Sequence, residues 1–255
     1  MTTQEELVNH QQTLYRSKNP TRRWLHCTRR DWIISAVRES AAKGPRQRAL
    51  EIGPGSGVYL PVLAELFETV VGSDIEEAYL DNAKLLRDKH PNIETIVDDI
   101  TNTRLPEGSF DLILCSEVVE HIPDSAPAIA SMRRLLKPGG RLVLSTPQKY
   151  APLELACKIA FLPGIIQLVR LVYGESILKT GHINLMTAGK VNKQLNDAGF
   201  QIHQRHKTGM YLPFIAEFTG SPGQRLLQWM ENKMRGGFGD GLLWTQYYVA
   251  QAPAK

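Results

Sequence analysis

Two stretches of the 255-residue chain hold residues whose types and spacing could do chemistry. The first is Glu117-Val118-Val119-Glu120-His121. Positions i, i+3 and i+4 share one face of a helix, so a helix here would bring Glu117, Glu120 and His121 together. Two carboxylates and one imidazole suit a hard or borderline divalent ion. Without a metal, His121 could act as a general base. The second stretch is Ala-Leu-Glu-Ile-Gly-Pro-Gly-Ser-Gly, residues 49–57. Its apolar lead-in suits a buried strand. Gly53, Gly55 and Gly57 then let the backbone turn sharply and approach a ligand closely, having no Cβ. The spacing is G-x-G-x-G, whereas a dinucleotide fingerprint needs G-x-G-x-x-G, and no Lys-Ser/Thr follows to make a P-loop. Glu51, just ahead of the turn, is unhelpful for a pyrophosphate and well placed for a cationic ligand.

Such residues need a scaffold, and the chain supplies an alternating one. Arg48–Ile52, Thr69–Ser73, Ile93–Val97, Phe110–Cys115 and Arg141–Ser145 read as strands. Val58–Phe67, Ile75–His90 and Asp124–Leu136 read as helices, the last stopped by the breaker Lys137-Pro138-Gly139-Gly140. Strands alternating with helices predict a parallel sheet covered on both faces. Ligands of such sheets sit beyond the carboxyl ends of the strands, near the topological switch point. Asp74 ends the second strand, where a carboxylate can accept both hydroxyls of a ribose or cap the next helix. Asp98 or Asp99 ends the third. Pro147–Gly181 interrupts the rhythm. Beyond it come a helix at Thr187–Gly199 and a strand at Phe200–His206. An irregular stretch, 207–241, follows with one helix at Gln224–Met234, then a last strand at Leu243–Ala250. His203 and His206 fall on a surface strand, and His10 and His26 carry no signal.

Taken in order, Glu51-x-Gly-x-Gly-x-Gly57, Asp74, Asp98-Asp99-Ile100, Phe110-Asp111-Leu112-Ile113 and Leu136-Lys-Pro-Gly-Gly140 resemble the motif set of the class I S-adenosylmethionine-dependent methyltransferases. The resemblance covers roughly 48–146 and 182–206. It implies a Rossmann-like α/β fold, with a mostly parallel seven-stranded sheet, helices on both faces and a helical insertion after strand 5. It also implies S-adenosylmethionine as cofactor, held by Glu51, Gly53, Gly55, Gly57, Asp74, Asp99 and Ser116. Asp99 is chosen over Asp98 because Asp99-Ile100 stands where the family has an Asp-Ala pair. The E-x-x-E-H of 117–121 resembles that of the ubiquinone-pathway O-methyltransferases and the small-RNA 2′-O-methyltransferases. In those families a second His completes a metal site, and His182 lies where it would be. The implied metal set is Glu117, Glu120, His121 and His182, for Mg, Mn or Zn. Metal-free relatives imply instead that Glu117 can meet the cofactor's amino group while His121 acts as a base or packs by the substrate, and Glu117 and His121 are the catalytic candidates.

The bulk properties narrow the remaining choices. Composition is that of a globular protein, 42% hydrophobic and 22% charged, and a net charge of +4 is too mild to demand nucleic acid. Cys27, Cys115 and Cys157 are scattered and odd in number, which argues against a disulfide framework. Met1–Gln12 is polar, unlike a secretory signal. The most apolar run, Ile159–Val169, is flanked by Lys158 and Arg170 and broken by Pro163-Gly164, so no bilayer span is expected. A cytoplasmic protein is expected, with contact at the inner face of a membrane left open.

The expected organisation is an N-terminal helical lid segment, 1–47, and a methyltransferase domain, 48–255, with an apolar helical insertion at 148–181. Trp24–Val37 reads as an amphipathic helix within a segment made basic by Arg16, Lys18, Arg22, Arg23, Arg29 and Arg30. The apolar residues of 151–174 could pack on the core, cover an apolar acceptor, or lie in a membrane interface beside the basic N-terminal segment. The expected activity is O-methylation of a small apolar, phenolic, quinone-like or lipid-like acceptor. The alternatives are a cofactor-binding partner or sensor that transfers nothing, and a nicotinamide-dependent oxidoreductase, which the glycine spacing disfavours.

Overall fold

The structure, a computed structural model, describes residues 14–160 and 182–254. The expected second apolar segment of the insertion, 165–171, lies outside them. The sheet is built from β1 (Arg48–Ile52), β2 (Thr69–Asp74), β3 (Ile93–Val97), β4 (Phe110–Ser116), β5 (Leu136–Pro147), β6 (Gln201–Thr208) and β7 (Thr245–Gln251). Their order is β3-β2-β1-β4-β5-β7-β6. The first five strands pair in parallel, and β7 runs antiparallel between β5 and β6. This is the mostly parallel seven-stranded sheet that the sequence predicts, with the switch point at β1, between β2 and β4.

The described helices are α1 (Pro20–Ala41), α2 (Leu60–Leu66), α3 (Asp81–Leu86), α4 (Ala126–Leu135), α5 (Pro152–Ala160), α6 (Ala188–Asp197), α7 (Pro213–Phe218) and α8 (Gly220–Met234). Strand side chains alternate between two cores. Leu50, Ile113, Cys115, Leu142 and Leu144 pack against Ala128, Ile129 and Met132 of α4 and Val191 and Leu195 of α6. Ala49, Leu112, Leu114, Val143 and Tyr247 face Ile33 and Val37 of α1 and Leu60 and Leu63 of α2. Each fully buried aliphatic side chain contributes about 1.5–3 kcal/mol, so α1 is anchored to the sheet along its length. Its N-cap is Asn19, whose side chain accepts from the Thr21 and Arg22 amides.

Several local expectations are corrected. The helix expected over Ile75–His90 is a 3₁₀ turn at Glu77–Leu80 followed by the short α3. Glu76 is extended, and Asp74 Oδ1 accepts from its amide at 3.2 Å, which delays the helix start. Lys137-to-Gly140 does end α4, but it continues into β5 through an irregularity opposite Phe110 and Leu112. A Cβ on Gly140 would stand 3.1 Å from the Phe110 carbonyl oxygen, so glycine permits this close approach. Residues 207–241 are more regular than expected, with α7 opened by Pro213 and α8 crossing it at Gly223. Of the expected insertion, α5 is present within the described residues.

Candidate active site

The glycine turn leaves β1 with left-handed backbone at Gly53, Gly55 and Gly57, φ between 49° and 72°. A Cβ on Gly53 would fall 2.6 Å from Val118 Cγ2, so this position is closed to side chains on steric as well as conformational grounds. Glu51 is 2% exposed, and its Oε2 has no hydrogen-bond partner among the described residues. Burial alone pushes its carboxyl up to about 8. Asp74 ends β2, half-buried, and burial raises its carboxyl too. Asp99 caps a 3₁₀ turn, its Oδ1 accepting from the Thr101 amide and hydroxyl at 2.9 and 2.7 Å. Asp98 instead keeps a buried Oδ2 without a partner among the described residues. Ser116 Oγ lies 3.1 Å from Ser145 Oγ. These residues therefore all lie at the carboxyl end of the sheet, around the switch point.

The stretch 117–121 is not the expected helix. Glu117 has φ +57°, the one non-glycine residue with positive φ among those described, and Val119–His121 is a single 3₁₀ turn. An L-residue held in that region carries strain that the surroundings must offset. Here the offset is visible: the Glu117 amide donates to the Ser145 carbonyl at 3.0 Å. Its Oε1 accepts from Ser145 Oγ at 2.8 Å, and its Oε2 accepts from Arg29 Nη1 at 2.6 Å. The reversal at Glu117 turns its carboxylate toward α1 and separates it from Glu120 and His121.

Glu120, His121 and His182 do come together. Each offers a ligand atom, and these atoms lie within 4.8 Å of one another. The two imidazole rings are 5.3 Å apart. Glu120 is fully buried; its Oε2 accepts from Thr146 Oγ1 at 3.0 Å, while Oε1 has no partner among the described residues. Burial, with the Glu117 charge nearby, pushes its carboxyl well above the usual range. The Glu120 carbonyl accepts from the Ile183 and Asn184 amides, which brings His182 to the site despite its distance in sequence. His182 Nδ1 lies 3.0 Å from Glu154 Oε2, and Glu154 Oε1 accepts from Trp244 Nε1 at 2.9 Å. A carboxylate beside Nδ1 holds the proton there and leaves Nε2 as a ligand, the usual arrangement behind a metal-binding His.

Sequence reasoning missed Arg29, Ser145, Thr146, Glu154 and Trp244. Arg29 Cζ sits 5.3 Å from the centre of the Trp244 ring, and Arg29 Nη2 is 3.2 Å from His26 Nδ1. Burial opposes the guanidinium charge most strongly, but the Glu117 carboxylate together with Tyr59, Tyr15 and Tyr247 outweighs it and raises Arg29 above its ordinary value. The one available signal was polar Ser145-Thr146 ending a strand otherwise apolar from Leu142. His203 is exposed as expected, whereas His206 is half-buried and stacks on Trp32 at 5.8 Å.

With this geometry in place, comparison with known proteins identifies the class. A family model described as "Methyltransferase domain" matches residues 24–205, and the chain belongs to that family. The fold is that of the class I S-adenosylmethionine-dependent methyltransferases. Among curated proteins, the chain is 36% identical over 103 residues to the ubiquinone biosynthesis O-methyltransferase of Pseudomonas aeruginosa, covering 39% of this chain and 44% of that one. It is 27% identical over 153 residues to a Mycolicibacterium smegmatis protein named as a probable S-adenosylmethionine-dependent methyltransferase, covering 60% and 51%. The chain thus spans about half the length of these relatives or less. Among solved structures, the N-methyltransferase NodS of Bradyrhizobium japonicum, in complex with S-adenosyl-L-homocysteine, matches with TM-score 0.60 and 18% identity over 98% of this chain and 96% of that one.

Proposed function

We propose that this protein is an S-adenosylmethionine-dependent methyltransferase that methylates a hydroxyl of a small apolar, phenolic, quinone-like or lipid-like acceptor. The observation that carries the reading is the pairing of two sites at one sheet end. One is a glycine cradle beside the buried Glu51 carboxylate, whose Oε2 has no partner among the described residues. The other is the Glu120–His121–His182 cluster. The cradle fits the cofactor: its glycines admit close approach, Glu51 suits a cationic group, and Asp74 and Asp99 are the candidate partners for ribose and adenine. When bound, S-adenosylmethionine supplies an electrophilic methyl group on a sulfonium. The protein's own residues then have to align the acceptor, exclude water and remove a proton.

The donor set of the cluster also suits a divalent ion, with one Glu120 oxygen lacking a partner among the described residues and two imidazoles close to it. Glu120, His121 and His182 would hold it, with Glu154 orienting His182, and it would lower the pKa of an acceptor hydroxyl. Glu117 is left as a site wall bonded to Arg29 and Ser145 rather than a fourth ligand. The part-length match to an O-methyltransferase supports the oxygen acceptor.

The test is calorimetry with S-adenosylmethionine, then transfer of labelled methyl to a panel of phenols and quinols, with a chelator and with Mg²⁺, Mn²⁺ or Zn²⁺ restored. Binding, transfer and chelator sensitivity are expected, with His182→Ala imitating the chelator. Transfer that survives chelation, with no metal by elemental analysis, would make His121 a simple base. Binding with no transfer over the panel would favour the non-catalytic partner or sensor.

A further inference from the structure

Three helices, α5, α7 and α8, pack on one apolar cluster beside the site. Leu153, Ala216 and Leu227 turn inward there, around Trp244. The outer faces of the same helices are also apolar. Leu155 and Ile159 are one turn apart on α5, Phe214 and Phe218 on α7, and Leu226 and Trp229 lie three apart on α8. These six side chains are 45–81% exposed, and the rings of Phe214 and Phe218 stack 6.4 Å apart. Single exposed apolar residues are ordinary, but three helices that pack on one cluster and each expose such a pair are not.

Charge is sorted across the same helices. Their carboxylates are Glu154, Glu217 and Glu231, and all three turn inward. Glu154 bonds Trp244 and His182. Glu217 accepts from Arg22 Nε and Nη2 at 3.1 and 2.9 Å. Glu231 accepts from the Gly209 and Met210 amides at 2.7 and 3.2 Å and pairs with Arg235. Their exposed cations are Lys158, Arg225 and Lys233. On α8, Arg225, Trp229 and Lys233 follow one another at intervals of four, a single stripe of cation, indole and cation.

We infer that the outer face of α5, α7 and α8 is a docking surface for an anionic lipid bilayer. Aromatic and aliphatic side chains rimmed by Lys and Arg, with every acid withdrawn, are what an interfacial helix needs. No helix among the described residues is long and apolar enough to cross a membrane, so the contact is peripheral. The surface stands on its own observations. Only its consequence rests on the methyl-transfer reading: the inner faces of these helices carry Glu154 and surround Trp244, so docking would hold the acceptor site against the source of an apolar acceptor.

The experiment is sedimentation of the full chain with phosphatidylcholine vesicles, with and without phosphatidylglycerol. Binding is expected to the anionic vesicles and to fall with salt. Lys158→Gln, Arg225→Gln and Lys233→Gln should each weaken it roughly fivefold, and together about a hundredfold. Phe214→Ser with Trp229→Ser should weaken it at any salt concentration. All these positions are exposed, so the melting temperature should stay near wild type, and calorimetric affinity for S-adenosylmethionine should not move. Failure of that affinity in wild type would sink the methyl-transfer reading and leave the docking result intact. Equal sedimentation of wild type and variants, or binding to acidic proteins but to neither vesicle, overturns the proposal.

Discussion

Glu51→Gln tests the cofactor cradle through stability rather than catalysis. Glu51 lies on the interior strand β1, opposite Gly72 of β2 and Leu114 of β4, and is 2% exposed. Burial moves its carboxyl from 4.5 to about 8, so the folded protein without cofactor keeps a proton that the unfolded chain gives up. A raised folded-state pKa makes stability fully present below the unfolded value and lost as pH rises through the folded one. The window is therefore pH 4.5 to about 8. Each pH unit inside it costs about 1.4 kcal/mol, so between pH 5.5 and 8.5 wild type should lose roughly 3 kcal/mol on this account. Glutamine cannot ionise, so the variant should lack that slope. Its amide brings new donors with their own cost of about 1 kcal/mol, but that offset is independent of pH.

The assay is urea unfolding of both proteins at several pH values without cofactor, comparing slopes rather than absolute stabilities. Other titrating groups are common to the pair and cancel. A cationic ligand beside Glu51 should favour the carboxylate, so S-adenosylmethionine binding at pH 7 should release a proton from wild type and none from the variant. Calorimetry in buffers of different ionisation enthalpy reads this directly. Parallel pH–stability curves for the two proteins would refute the reasoning, because Glu51 would then titrate as an ordinary surface acid.

Two further substitutions test the walls of the site. Arg29→Met should destabilise the fold by about 3 kcal/mol in chemical denaturation, because it strands the enclosed Glu117 carboxylate, and adding Glu117→Gln should recover most of it; a single variant as stable as wild type would show that Arg29 does not hold Glu117. Trp244→Phe keeps an aromatic side chain but removes the Nε1–H that fixes Glu154, so on the proposed metal reading metal affinity should fall about 10- to 100-fold while cofactor affinity stays put, and unchanged metal affinity would remove the Trp244–Glu154–His182 chain from the site.

The fold was legible where local signals agreed with one another. Arg48–Ile52 and Ile93–Val97 are strands to the residue, because each is a short apolar run bounded by turn residues. The helix of α1 was visible in the spacing of Leu25, Ile33 and Val37 but begins earlier, at Pro20, where Asn19 supplies the cap. The helix after β2 was overextended because an acidic, polar run looks helical by propensity. Only the backbone at Glu76 shows that the chain first turns. In the stretch 207–241, glycine and proline were read as irregular structure, yet Pro213 opens a helix and Gly223 lets two helices touch.

Residues of the candidate site could be named from the sequence, but not their geometry. Spacing placed Glu117, Glu120 and His121 on one helical face, and that inference failed at a single dihedral angle. With Glu117 in the left-handed region, the i, i+3, i+4 rule no longer applies, and the first carboxylate is sent to Arg29 instead of to the histidines. Nothing local to 117–121 encodes this reversal: the groups that hold it, Arg29 and Ser145, lie 88 and 28 residues away. The same holds for Glu154, a lone acid in an apolar helix, whose role appears only when Trp244 and His182 close on it from 90 and 28 residues distant. A candidate site assembled at a switch point draws on segments whose order in the chain carries no metric information. The cradle could be read from sequence because the turn makes it from consecutive residues. The acceptor side could not, because long-range hydrogen bonds decide which of its acids face inward.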